Sequence, residues 1–339
     1  MDNGCRRGGN VNTDKKGKIL SIGSYNVGLT CRAGRTPAWG ETLIGSDFSE
    51  SYGGKGSNQA VAAARLGGDV TFIGCVGMDK YGEDALSMLR DNGIHTNYIK
   101  QTSDKNTGVG IILLNEHNDN CIIVDLGANS ELTAEYVESM ELVIQEADVV
   151  IFQLETPVET VRAGMQLAKK HGKTIIFNPA PANTAAIDLL QHVTITNPNE
   201  SELLLLNGKE SDFALTDIEC EKLARNLLRK GPDIVLVTRG EKDCMVVTPE
   251  ETMQIPVYPV QAKDTTGAGD AFTGALAVAI AEGKSLKEAV HFANLTGSYC
   301  VTHQSVIPGL PTFNQLKRFS IDNNIPWEVA CEEKSVFKS

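Results

Sequence analysis

The chain of 339 residues is short of several things, and each shortage closes a class of function. No stretch approaches the ~20 consecutive apolar residues that a membrane helix needs. The opening "MDNGCRRGGNVNTDKKGK" has no apolar core of the kind a secretory signal requires, and Asp2 and Asp14 disfavour a transit peptide. Residues 1–18 read as a disordered leader. Dense basic runs are missing; the nearest, "TDKKGK" at 13–18, reads as a solvated tail. With 31 Lys+Arg against 43 Asp+Glu the net charge is -12, which repels nucleic-acid phosphates and anionic lipid, so neither is an expected partner. The eight cysteines (Cys5, Cys31, Cys75, Cys121, Cys220, Cys244, Cys300 and Cys331) form no C-x-x-C pair, and the six histidines form no H-E-x-x-H. That argues against a zinc site and for buried free thiols in a reducing, cytoplasmic setting. Linkers, repeats and low-complexity segments are lacking too. One domain over 19–319 is expected, with residues 320–339 as a loosely attached tail.

What is present is a succession of short, β-branched apolar runs. They are "ILSIGS" from residue 19, "VTFIGCVG" (70–77), "VVIFQLE" (149–155), "TIIFNPA" (174–180), "VTITNPNE" (193–200) and "DIVLVTRG" (233–240). Nearly continuous apolar runs suit strands covered on both faces. Helical patterns lie between them: "SNQAVAAARLGG" (57–68), "DALSMLRDNG" (84–93) and "VETVRAGMQLAKKHG" (158–172), the last entered by Pro157 and left by Gly172. The alternation predicts an α/β fold, a three-layer, doubly wound, mostly parallel sheet. Residues 40–54 and 108–127 break it with strands and no intervening helix, the second turning at "NEHNDN". They are either edge hairpins or a small antiparallel lid.

Two glycine-rich stretches carry chemistry. In "DTTGAGDAFTGAL" (264–276), Gly267, Ala268 and Gly269 precede a helical pattern, after a strand-like "IPVYPVQAKD" (255–264). Glycine lets backbone N–H groups approach a ligand, and a helix N-terminus adds unpaired donors and partial positive charge. Such a place binds anions. Asp270 in that first turn either stabilises the helix or acts on a ligand beside the amides. The spacing matches neither a dinucleotide-binding fingerprint nor a Walker A loop. In "YGGKGSNQAVAAARLG" (52–67), Gly53, Gly54, Lys55, Gly56 and Asn58 stand at a turn feeding a second helix and offer donors to a polar ligand.

Taken together, "GGKGSNQAVAAARLG" and "DTTGAGDAF" resemble the paired signatures of the ribokinase-like, or phosphofructokinase-B, family of sugar kinases. The likeness covers roughly residues 18–315 and includes "QLE" (153–155), "NPAPA" (178–182), "NPNESE" (197–202) and "TRGEKD" (238–243). The resemblance implies an enzyme that moves a phosphoryl group from ATP, with Mg²⁺, to the primary hydroxyl of a pentose, D-ribose first among candidates. It implies that Asp270 is the base and that amides near Ala268 hold the migrating charge. By the same likeness Asn26, Gly53, Gly54, Lys55, Gly56, Asn58 and Glu155 meet the sugar. Asn199, Glu202, Thr238, Arg239, Gly240, Glu241, Lys242, Asp243, Gly267, Ala268, Gly269 and Asn294 meet ATP. A K⁺ site falls on Asp264, Thr266, Cys300, His303, Ser305 and Gly309, mostly through carbonyl oxygens, and a homodimer forms through the lid. At Gly309 relatives commonly carry serine, so a hydroxyl contact is lost.

One departure bears on the substrate. The family pattern has Asn-x-Asp on the first strand, its carboxylate binding two sugar hydroxyls. Here the stretch reads "SYNVGL" (24–29), with Gly28 where the Asp belongs. A hydrogen bond to a charged acceptor is worth ~1.5–3 kcal/mol. Gly28 therefore leaves open another sugar, a nucleoside or a bulkier acceptor. A non-catalytic sugar sensor is a third reading, opposed by the intact Asp270 and glycines.

Overall fold

The apolar runs become neighbouring strands in the computed structural model, which describes residues 16–117, 119–210 and 214–327. In chain order the strands are β1 (Lys18–Ile22), β2 (Asn26–Arg32), β3 (Ser46–Gly53), β4 (Asp69–Gly77), β5 (His95–Thr102), β6 (Gly108–Leu114), β7 (Asn120–Asp125), β8 (Val149–Phe152), β9 (Thr174–Phe177), β10 (Ile195–Thr196), β11 (Ile234–Arg239), β12 (Lys242–Val247) and β13 (Thr252–Ile255). Nine of them form one sheet in the order β13-β12-β11-β10-β9-β8-β1-β4-β5. From β5 to β11 the pairing is parallel; β12 and β13 add antiparallel strands at one edge.

Both faces of this sheet are buried, as continuous apolar strands require. Ile19, Val149 and Ile151 point into a core shared with the helices Lys55–Arg65, Ala268–Ala281 and Leu286–Cys300. Leu20, Ile22, Val150 and Phe152, alternating with them, point into a second core under the helices Val158–Lys170 and Asp217–Leu228. The chain leaves β1 for β4 on one side and finds β8 on the other. Reversal of strand order opens a crevice beyond the carboxyl ends of β1 and β8, where ligands settle in open α/β sheets.

A four-stranded sheet, β3-β2-β6-β7, stands on this crevice. β2–β3 and β6–β7 pair antiparallel, and β2–β6 pair parallel. It contains both segments that broke the alternation, although residues 40–45 form no strand.

Several expectations change. "IPVYPVQAKD" is strand only at its first residue, since β13 ends at Ile255 and irregular chain runs on to Gly267. Pro256 and Pro259 lack the N–H a ladder needs. "SYNVGL" belongs to β2 of the small sheet, not to the first strand. Ser320 is buried inside the helix Phe313–Asp322, and Ile325 and Trp327 pack on the core, so the tail is attached that far. The expected tail beyond residue 327 and the leader before residue 16 lie outside the described residues. Cys31 is half-buried and Cys121 exposed, unlike the buried Cys75, Cys220, Cys244 and Cys300; Cys5 and Cys331 lie outside the described residues.

Candidate active site

Two helices enter the crevice side by side with their N-termini together. The helix Lys55–Arg65 follows Gly54, whose φ is 92° and whose Cβ, if present, would meet Asn26 N at 2.7 Å. Glycine is required on both counts. The helix Ala268–Ala281 follows Gly267, at φ 83°. The two pack closely because Gly274 lies against Ala62 and the Gln59 carbonyl. Ala268 N–H turns back to Thr265 O at 3.3 Å, and Ala271 N–H reaches Gly267 O at 2.8 Å. The Gly269 and Asp270 amides between them lie in the first turn, where no intrahelical carbonyl is available.

Asp270 is clamped where the helices meet. Asn58 Nδ2 donates to its Oδ2 at 2.8 Å and Gln59 Nε2 to its Oδ1 at 2.9 Å. The carboxyl is 6% exposed, and burial raises it above the ordinary carboxylate range; Lys55 and the two amide donors pull it down only in part. Burial pulls the Lys55 ammonium down, but Asp270, Glu155 and Glu202 outweigh that and leave it raised. The lysine backbone N–H donates to Glu155 Oε2 at 2.8 Å, and Ser24 Oγ donates to the same oxygen at 2.5 Å. Glu155, just beyond β8, is thus tied to the link between β1 and β2 and to the first helix. Asn26 sits at the root of the small sheet, its Oδ1 accepting from Asn129 Nδ2 at 2.9 Å.

Beneath Asp270 lies a layer of amides that sequence reasoning did not assign. Gln153, Asn178 and Asn197 each follow directly on β8, β9 or β10, three adjacent strands in register. Gln153 Nε2 donates to Gln59 Oε1 at 2.7 Å, Gln59 Nε2 also reaches Asn178 Oδ1 at 3.1 Å, and Asn197 Nδ2 donates to Thr273 Oγ1 at 2.8 Å. All three amides are buried. The available signal was a polar amide ending each apolar run.

The residues assigned to ATP divide. Asn199 and Glu202 form a capping box, Asn199 Oδ1 accepting from Glu202 N at 2.8 Å and Glu202 Oε2 from Asn199 N at 2.9 Å. Burial raises the Glu202 carboxyl, and its electrostatic coupling to Lys55 and Asp270 places it beside the site. Thr238 bridges to Asn199, and Gly240 makes the turn from β11 to β12 at φ 62°. Arg239 is engaged elsewhere: its guanidinium pairs with Asp217 at 2.6 Å and Glu200 at 3.4 Å. Lys242 also reaches Glu200, at 3.4 Å. Glu241 is exposed in the turn and Asp243 lies on β12. Asn294 spends its Nδ2 on the carbonyls of Ile255 and Pro256, tying the helix Leu286–Cys300 to the end of β13.

The residues assigned to K⁺ come together next to the Gly267 turn. Asp264 Oδ1 accepts from Thr266 N at 2.9 Å and Oδ2 from Ser305 N at 3.1 Å. Cys300 Sγ lies 4.0 Å from Thr266 O, and a Cβ on Gly309 would fall 3.2 Å from Cys300 O. His303 stacks on Tyr299. Val306 packs against Gly267, linking this loop to the amide turn.

With this geometry in view, the comparisons with known proteins are specific. The model of the pfkB family carbohydrate kinases matches residues 16–313. The chain belongs to the pfkB family of carbohydrate kinases. A ribokinase from Haemophilus influenzae is 38% identical over 301 residues, covering 89% of this chain and 97% of that one. A deoxyribokinase from Salmonella typhi is 34% identical over 88% of this chain and 97% of its own. Among solved structures, an Arabidopsis thaliana ribokinase complexed with ribose and ATP superposes with TM-score 0.82 at 30% identity, covering 90% of this chain and 98% of that chain. The pfkB kinase architecture is thus a three-layer α/β body whose crevice holds Asp270, with the small sheet above it.

Proposed function

We propose that this pfkB kinase transfers the terminal phosphoryl group of ATP to the primary hydroxyl of D-ribose, giving D-ribose 5-phosphate. One observation carries the reading: a buried carboxylate, Asp270, held by two amide donors in the first turn of a glycine-led helix. Phosphoryl transfer needs positioning and charge stabilisation more than covalent chemistry. Asp270 accepts the proton as the sugar O–H bond breaks and the new O–P bond forms, and ADP leaves. The Gly269 and Asp270 amides face the migrating negative charge. Lys55, Asn58, Glu155 and Asn26, with the turn Gly53, Gly54 and Gly56, hold the sugar. Asn199, Thr238, Gly240 and the Gly267–Gly269 turn border the nucleotide. The Asn294, Arg239 and Lys242 side chains, assigned to the nucleotide by the family resemblance, also hold the surrounding elements.

Glu202, coupled to Lys55 and Asp270 but outside their hydrogen bonds, suits water-mediated contact with Mg²⁺. The oxygens gathered by Asp264, Thr266, Cys300 and Ser305 suit a hard monovalent cation such as K⁺, which would order the loop against Gly267. Gly309 contributes no hydroxyl there. A homodimer through the small sheet is supported by Ile122, Ile123 and Val124, exposed on β7. Six free cysteines among the described residues support a reducing, cytoplasmic setting. An acidic net charge of -12 disfavours nucleic acid and anionic lipid as partners. Among the described residues no helix is long and apolar enough to cross a membrane.

A coupled ADP-release assay with D-ribose tests the reading. Turnover is expected in the wild type, falling roughly 10²–10⁴-fold in Asp270→Asn. Equal turnover in the two proteins would defeat the assignment.

A further inference from the structure

On the face of the small sheet that carries Asn26, the rows nearest the crevice are almost bare. Residues two apart on a strand share a face, and directly paired residues share it too. Asn26 pairs with Gly53 and Gly108; Gly28 pairs with Ser51 and Gly110; Gly110 pairs with Val124. The opposite face carries Val27, Leu29 and Val109, packed on the core, and Glu50, which accepts from the Tyr81 hydroxyl at 2.9 Å. The floor continuing outward from Asn26 is therefore glycine, with one polar side chain in the second row, Ser51.

Gly28 does not leave a hole. A Cβ there would lie 2.6 Å from Ser51 Oγ and 3.4 Å from Ile112 Cδ1, so the serine hydroxyl already occupies that space. Its contact with Gly28 O, at 3.5 Å, is at the long limit of a hydrogen bond and leaves the hydroxyl able to turn to a ligand. Glu155 Oε2 is held by Ser24 and Lys55 N, and the two Asp270 oxygens by Asn58 and Gln59, so neither acid stands in this row. A sugar whose primary alcohol lies at Asp270 presents its far end to this row.

Resting on the pentose-kinase reading above, we infer that Ser51, standing over Gly28, is the specificity-determining contact for the sugar end remote from the primary alcohol. The site is accordingly tolerant of a missing 2-hydroxyl, and 2-deoxy-D-ribose serves as an acceptor comparable to D-ribose. A site that pairs a substrate hydroxyl with a charged or buried partner rejects the analogue lacking it strongly, because the partner is left unpaired. A neutral serine that can return to a backbone carbonyl does not. A neutral hydrogen bond is worth about tenfold or less, and one to a carboxylate roughly 10- to 100-fold.

The test is kcat/KM of the full-length chain for D-ribose and for 2-deoxy-D-ribose, with calorimetric binding of each. The two values are expected within about tenfold of each other. Ribose turned over with a preference beyond about 100-fold overturns this inference while the pentose-kinase reading stands; neither sugar bound nor phosphorylated overturns both. Ser51→Ala should lower ribose kcat/KM by up to about tenfold and the 2-deoxy value by less; an equal loss for both counts against the contact. Gly28→Asp with Ser51→Gly, which clears room for the carboxylate, should raise the preference for ribose by roughly 10- to 100-fold. An unchanged ratio in a double variant that melts with the wild type also overturns it.

Discussion

Asp270 pays for its position in proton affinity. Burial raises its carboxyl above the ordinary range, and only the ionised form can accept a proton from the sugar. The sign follows: kcat/KM is flat above the raised value and falls as pH drops through it. The acid limb of the pH–rate profile is expected above the ~3.9 of a free aspartate. Lys55 opposes the rise, so Lys55→Met should move the limb further up; a limb at or below the ordinary value would contradict the burial. The supporting amides give a second outcome. Gln153→Leu removes the donor to Gln59 Oε1, leaving a buried carbonyl unpaired at about 1–3 kcal/mol. A urea titration should show that loss, with reduced kcat because Gln59 holds Asp270. Asp270 and Asn58 were legible in the sequence because glycine-rich turns advertise them, whereas Glu155 came only from the family resemblance. Gln59, Gln153 and Asn178 were not legible, since an amide at the end of an apolar run does not tell which helix side chain it meets. Arg239 lies within a matching motif, and the pairing of its side chain with Glu200 and Asp217 was not legible there.

Among elements, the strands of the central sheet were readable because burial on both faces leaves unbroken apolar runs. β5, "HTNYIKQT", alternates buried and exposed positions at the sheet edge and went unread. "IPVYPVQAKD" was misread because its apolar residues mimic a strand while its prolines cannot join a ladder. The pairing of the helices Lys55–Arg65 and Ala268–Ala281 turns on Gly274. A Cβ there would lie 2.6 Å from Ala62 Cβ and 2.7 Å from Gln59 O. Gly274→Ala should therefore cost about 1–3 kcal/mol by overpacking. Because the displaced Gln59 is an Asp270 donor, differential scanning calorimetry and kcat should fall together. Normal kcat at a lowered Tm would separate helix packing from the site.

For the molecule as a whole, the small sheet has more apolar surface than one chain covers. Ile122, Ile123 and Val124 are exposed on β7, and Phe48 on β3. An uncovered strand edge of this kind invites pairing with another chain. Sedimentation at micromolar concentration should show a dimer, and Ile123→Asp should yield monomer; a wild type that sediments as a monomer counts against the pairing. The doubly wound architecture followed from the alternation of elements. Its two attachments, the small sheet and the buried end at Ser320, depend on long-range packing that local pattern does not encode. The partition of thiols has a practical side. Burial pushes Cys75 and Cys220 up to about 11 and Cys244 and Cys300 up to about 12, so they hardly ionise near neutrality and resist alkylation. Cys121 stands exposed on the outermost strand of the small sheet. With Cys5, Cys31 and Cys331 replaced, a single maleimide fluorophore at that position becomes an optical test of whether the sheet moves during turnover.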